Sequence, residues 1–445
     1  MKSLGIETQE GHMQKRRIDK SAQRNALRTR RLEESRTQIL QMYGIPIPQE
    51  KPMKEFSLQN LIEEFHEELS DEVLRERLAL TTNFTREVEK VNSLDSDSQL
   101  FLVRFLTSCI NNRDTKITSY ALQSLASLSV CSPEIIKMIE TNGAIYNATQ
   151  TTIDKDLIIP CLLFLGNLAS IPVHGAVEVL PNALRFCVQF NDRNIFRLAS
   201  WALCIAADAG SNVSELASYF LKIQDEEVVE NTLRGCLGLL THDYLIPFQQ
   251  VVPFIDTTQF RDLVIEILSE AAYKGILTDD ISQVFRMLLK YPLTPLEIKN
   301  VVWAIGNIVI TKPQIVLFFS EGDFYKYVIK QAYLTDVGIK RECCKAIASI
   351  INECKTEVKC LKMLVENGIV NAIMDLLDNY EILQKGEMVD IIKSLILLME
   401  QEKYGVGAGQ YIQLKLDTIN KISFDKNSSS QVVKFIMWLL NNYFE

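Results

Sequence analysis

Histidine is nearly missing from this chain. There are four in 445 residues, His12, His66, His174 and His242, each far from the others. That argues against a histidine-rich metal centre or a histidine-based proton relay. No GxSxG, HExxH, P-loop or dinucleotide fingerprint occurs, and Asp and Glu fall on helical segments as solvated faces, so catalysis finds little support and no cofactor or metal is expected. The ten cysteines include no CxxC pair and no nearby histidine, which removes the usual zinc pattern. Cys109, Cys161, Cys187, Cys204 and Cys236 occupy apolar helix positions, and Cys343-Cys344 reads as a packed helix pair. Such thiols suit a reducing, cytosolic or nuclear setting. Long apolar runs are also absent: Ile391 to Met399 is too short to span a bilayer. The amino terminus is polar and basic, with no apolar signal core. The expectation is a soluble, intracellular chain with few strands.

What the chain has instead is apolar material in helical periods. Hydrophobic residues make up 47% and charged residues 23%, a composition that can bury a core and is not that of a disordered chain. Trp303-Ala304-Ile305-Gly306-Asn307 has fainter copies along the sequence: Phe164-Leu165-Gly166-Asn167, Trp201-Ala202-Leu203 and Lys345-Ala346-Ile347-Ala348-Ser349. With the Trp position as landmark, the copies fall at Gln123, Leu163, Trp201, Trp303 and Lys345. Steps of about 40, 38 and 42 residues are the period of a helical solenoid repeat. The step from Trp201 to Trp303 is not a clean multiple, so irregular units are expected between them. Stacked units of this kind present one long concave face, and function is sought along it.

Charge divides the chain. Residues 1–40 hold ten Lys/Arg against five Asp/Glu, a local +5, leaving 37 against 51 for the remainder, −14. Residues 1–43 form a basic segment in which Arg24, Arg28 and Arg31 share one helix face. Leu27 and Leu32 supply too little apolar stripe to hold that helix alone, so it is expected to be partly disordered until it binds. Residues 44–55, with Gly44, Pro46 and Pro48, read as a linker. The body, residues 56–445, is read as one run of helices, with Asn60 to Leu80 and Ser96 to Asn111 opening it. Turns at Asn142-Gly143 and Asn367-Gly368 place glycine where a left-handed residue ends a helix. Gly405 to Gly409 reads as a flexible insert, and Gln431 to Phe444 as the closing helix.

These blocks together resemble importin α (karyopherin α), the armadillo-repeat adaptor that carries nuclear-localisation-signal cargo to an importin-β carrier. The resemblance rests on Lys15-Arg16-Arg17 with Arg28-Thr29-Arg30-Arg31 in the head, on Ile298 to Val309 in the body, and on Leu416 to Phe444 at the tail. It covers essentially the whole chain. It implies an all-α, right-handed superhelical armadillo solenoid of roughly nine repeats. It also implies shuttling between cytoplasm and nucleus, a nuclear import adaptor with basic cargo proteins and an importin-β-like carrier as partners, and neither direct nucleic-acid binding nor membrane insertion.

In the family, indole faces hold the stems and charges of cargo Lys and Arg, and asparagines one turn later bond the cargo backbone. Carried over, this implies Trp303, Asn307, Glu342, Trp201 and Asn167 as cargo-peptide-binding residues. Lys15, Arg16, Arg17, Arg24, Arg28, Arg30 and Arg31 would bind the carrier. Several positions depart from the family. Gln123 and Ser127 stand for one Trp-Asn pair, Leu163 replaces a Trp, Ile205 an Asn, and Lys345 and Ser349 another pair. Ile136 and Ile171 align with the threonine and aspartate that receive the key lysine. The later site, around Trp303, is therefore favoured over the first. Glu33-Glu34-Ser35-Arg36 stands where the family often has an inhibitory basic cluster, so weak self-inhibition is expected. Set against this, either indole can be an ordinary core residue and the head a solvated or nucleic-acid-binding charge run. The alternative function is an armadillo scaffold that has lost signal-peptide recognition.

Overall fold

The computed structural model describes residues 69–171, 173–276, 288, 291–311, 324–425 and 428–444. The head (1–43), the linker (44–55) and the first residues of the body lie outside them, and with them every residue expected to bind the carrier. Among the described residues all regular structure is helical. Where the sequence suggested one uninterrupted body, they fall into two compact units that meet in sequence at Val251-Val252.

Each unit is a solenoid segment built on a ladder of helices, each packed on the next. In the amino-terminal unit the ladder is α1 (Asp71–Thr85), α2 (Thr115–Leu128), α3 (Ile158–Ala169), α4 (Arg193–Asp208) and α5 (Glu226–Thr241). In the carboxy-terminal unit it is α6 (Thr258–Lys274), α7 (Pro295–Thr311), α8 (Val337–Glu353), α9 (Lys385–Glu400) and α10 (Ser430–Tyr443). Shorter helices, such as Pro133–Thr141, Ala144–Gln150 and Ile369–Asp378, cover the ladders. Every sequence landmark lands on a ladder helix. Gln123 is on α2, Leu163 on α3, Trp201 on α4, Trp303 on α7 and Lys345 on α8. Two further ladder helices, α5 and α6, fall within the irregular step.

The middle helices of the amino-terminal ladder carry long buried runs because they sit between covering helices and two neighbours. In α3, Cys161 to Ala169 is an unbroken buried run; in α4, so is Leu198 to Ala207. Their starts are fixed by polar caps that satisfy the first backbone amides. The Asp114, Asp192, Asp225 and Asp336 side chains accept from amides at the starts of α2, α4, α5 and α8. For α7, the Thr294 amide donates to Glu297 and the Glu297 amide to the Thr294 hydroxyl. Gln384 and Glu387 do the same at α9, two reciprocal capping boxes.

Several caps are also tied to the preceding part of the ladder. Arg75 of α1 reaches Asp114 at 2.7 Å, Lys155 just before α3 reaches Asp192 at 3.3 Å, and Arg193 of α4 reaches Asp225 at 2.6 Å. Arg341 of α8 reaches Glu387 of α9 at 3.1 Å. One carboxylate thus caps the start of a helix and ties it to the preceding part of the ladder. At Asp225, burial works against ionisation, but hydrogen bonds from Arg197 and Arg193 more than offset it and hold the carboxyl at about 2.

The turn glycines behave as expected: Gly143 and Gly368 have φ of 79° and 89°, each just before a short helix. The stretch around Gly405 does not. It was expected to be a flexible insert, but the Glu402 carboxylate accepts from the amides of Gly407 and Ala408, both at 3.0 Å, and ties the turn down. The closing helix, α10, lies within a residue of its expected limits. All ten cysteines are free, and nine are buried.

Candidate functional site

The amino-terminal ladder presents neutral polar side chains where peptide-binding residues were expected. On α2, Gln123 donates to the Ser119 hydroxyl at 3.3 Å and Ser127 donates to the Gln123 carbonyl. On α3, Asn167 is fully buried and its amide donates to the Ala126 carbonyl of α2 at 3.1 Å. On α4, Trp201 is 2% exposed. Its ring lies against Gly166 of α3, where an added Cβ would come within 2.5 Å of the indole.

These placements correct two expectations. Trp201 was expected to offer its indole face to a cationic side chain; it fills the space left by a missing neighbour side chain instead. Asn167 was expected to bond a ligand backbone; its amide bonds the chain's own. The clue was in the sequence: a mid-helix glycine one copy earlier leaves a hollow that a large ring can fill.

The carboxy-terminal ladder differs in charge. Glu270 on α6, Glu342 on α8 and Glu387 and Asp390 on α9 are buried, as is Glu297 at the start of α7. Burial, together with the neighbouring Glu297 carboxylate, pushes the Asp262 carboxyl above its ordinary value, a sign of crowded negative charge. Trp303 of α7 is 7% exposed and stacks on Tyr273 of α6, ring centres 6.0 Å apart and planes at 26°. The Asn307 amide donates to the Trp303 carbonyl one turn back at 3.0 Å. Both residues are therefore taken up by packing to a greater degree than the expectation of projecting indole and amide groups allowed.

Glu342 joins a four-member ionic cluster across α8 and α9. The Lys345 ammonium stands 3.4 Å from Glu342 and 3.4 Å from Glu387. Arg341 forks onto both oxygens of Glu387 at 3.1–3.2 Å, and the Gln384 amide adds a bond at 2.8 Å. Glu387 is wholly buried, Glu342 nearly so, whereas the Lys345 side chain is 26% exposed. Lysine thus covers two carboxylates from the solvent side.

Of the expected cargo residues, Trp303, Asn307 and Glu342 belong to the carboxy-terminal unit, and Asn167 and Trp201 to the amino-terminal one. Sequence reasoning missed Glu270, Glu387 and Asp390. The usable signal was an acid set inside an apolar run, as in Val389-Asp390-Ile391.

No protein-family model and no curated protein matches this chain. Among solved structures, a crystal structure described as that of an engineered protein is similar to it, with a TM-score of 0.58 and 17% sequence identity, covering 87% of this chain and 99% of the other. That likeness shows the fold: an all-α helical solenoid. No helix among the described residues is long and apolar enough to cross a membrane.

Proposed function

We propose that the chain is an armadillo-type adaptor of the importin α kind, whose carboxy-terminal unit takes an extended, cationic peptide and whose basic head engages an importin-β-like carrier. The observation that carries this reading is the set of carboxylates on ladder helices α6, α8 and α9, Glu270, Glu342, Glu387 and Asp390, in the same unit as the Tyr273–Trp303 stack between α6 and α7. Acids placed along a helical ladder suit a strand of Lys and Arg, each contact being a charge-assisted hydrogen bond. The aromatic pair suits the methylene stems. The opposite signs of head and body, +5 and −14, suit two separate partners.

The amino-terminal unit favours the second reading, a scaffold that has lost signal-peptide recognition, because Trp201 and Asn167 are consumed by its own packing. One pair of measurements separates the two. Fluorescence anisotropy of a labelled Lys/Arg-rich decapeptide should report binding that weakens as salt rises. Residues 1–43 fused to a tag should retain an importin-β carrier. Peptide binding that Asp390→Asn and Glu270→Gln leave unchanged removes the proposed site, and failure of both partners to bind leaves the scaffold.

A further inference from the structure

Lysine at the landmark position needs an explanation. The other four copies carry neutral residues there, Gln123, Leu163, Trp201 and Trp303. Lys345 alone places a charge, and places it equidistant from carboxylates on two helices. Arg341 already satisfies Glu387 through a two-pronged contact, so the lysine is not needed to neutralise that acid. Its side chain is part-exposed, as is that of Arg341, whereas both carboxylates are buried.

We infer that Lys345 is an internal stand-in for a ligand's lysine or arginine: its ammonium occupies the cation position between Glu342 and Glu387, and a cationic peptide binds there by displacing it. This rests on the reading of the carboxy-terminal unit as a cationic-peptide site, and it makes Lys345 a specificity-determining residue of that site. With Lys345 in place, Glu342, Glu387, Arg341 and Lys345 sum to zero charge. With its charge removed, they keep one negative charge. The lysine stem is flexible and part-exposed, so its ammonium can exchange with a ligand's cation. The same residue therefore selects against weakly charged peptides, which cannot compete with it.

The test is anisotropy titration of the full chain with the labelled Lys/Arg-rich decapeptide. Lys345→Met, which keeps the stem and removes the charge, should bind about tenfold more tightly than the natural chain, with a steeper salt dependence. Lys345→Gln should follow it, and Lys345→Arg should bind as the natural chain does. If the natural chain binds and Lys345→Met binds equally or more weakly, the stand-in is overturned while the peptide site survives. If neither the natural chain nor either neutral variant binds, the peptide site itself falls, and this inference with it. A second readout needs no substitution: acetylation of Lys345, followed by mass spectrometry, should rise several-fold when the decapeptide saturates the natural chain. Unchanged or reduced labelling overturns the displacement.

Discussion

The two units share a ladder architecture but fill it differently. In the amino-terminal unit Asp225 is the one buried charged side chain among the described residues; the other buried polar groups are neutral, such as Thr82, Ser124, Gln123 and Asn167. They bond within and between ladder helices, as where the Thr82 and Ser124 hydroxyls meet at 2.9 Å between α1 and α2. In the carboxy-terminal unit Arg261, Glu270, Glu297, Lys340, Glu342, Glu387 and Asp390 are all buried. A buried neutral pair asks little of its surroundings, whereas a buried ion demands a partner at close range. The first unit therefore holds together largely through neutral packing, whereas the second depends on its buried ions finding partners.

Three substitutions and one deletion test that contrast. The largest effect is expected at Glu387→Gln, which strands Arg341 beside a neutral amide and leaves Lys345 with Glu342. Breaking a buried ion pair costs about 3–5 kcal/mol, and urea denaturation should show that loss. A loss under 1 kcal/mol would mean that the carboxy-terminal charges are no more than surface pairs. Next is Gly166→Ala in the amino-terminal unit. Its Cβ would meet the Trp201 ring at 2.5 Å, an overpacking worth about 1–3 kcal/mol. A neutral result would show that the ring is free to move aside.

Asp225→Asn comes third, at about 2 kcal/mol, and carries a pH signature. The folded carboxyl sits at about 2 against an ordinary 3.8, so the unfolded chain takes up the proton first as pH falls. Its contribution is complete above about pH 4 and fades as pH drops towards 2. In the Asn variant, stability should lose this component of its acid dependence. The smallest effect is on binding: removing residues 1–43 should raise affinity for the basic decapeptide by less than about tenfold, or 1.4 kcal/mol. A larger gain would make the head a strong internal competitor.

Much of the fold was legible because apolar periodicity and turn chemistry are local signals. The landmarks at Gln123, Leu163, Trp201, Trp303 and Lys345 found five ladder helices, and Asn142-Gly143 and Asn367-Gly368 found two turns. The division at Val251-Val252 was not legible, since no break in composition marks it. The side-chain arrangement was less legible, because whether an indole projects or lies down depends on the residue facing it from the next helix. At Trp201 that residue is Gly166, about a copy earlier in sequence. The partners of Glu387, likewise, are Arg341 and Lys345, set by how α8 packs on α9 and not by spacing within either.

The seating of Trp201 also gives the molecule an optical asymmetry. It is the one tryptophan among the described residues of its unit; Trp303 and Trp438 both belong to the other. An indole held dry against a glycine backbone emits towards the blue and shifts red when water reaches it. With Trp303 and Trp438 changed to phenylalanine, the intrinsic emission of the chain would report the opening of the amino-terminal ladder alone.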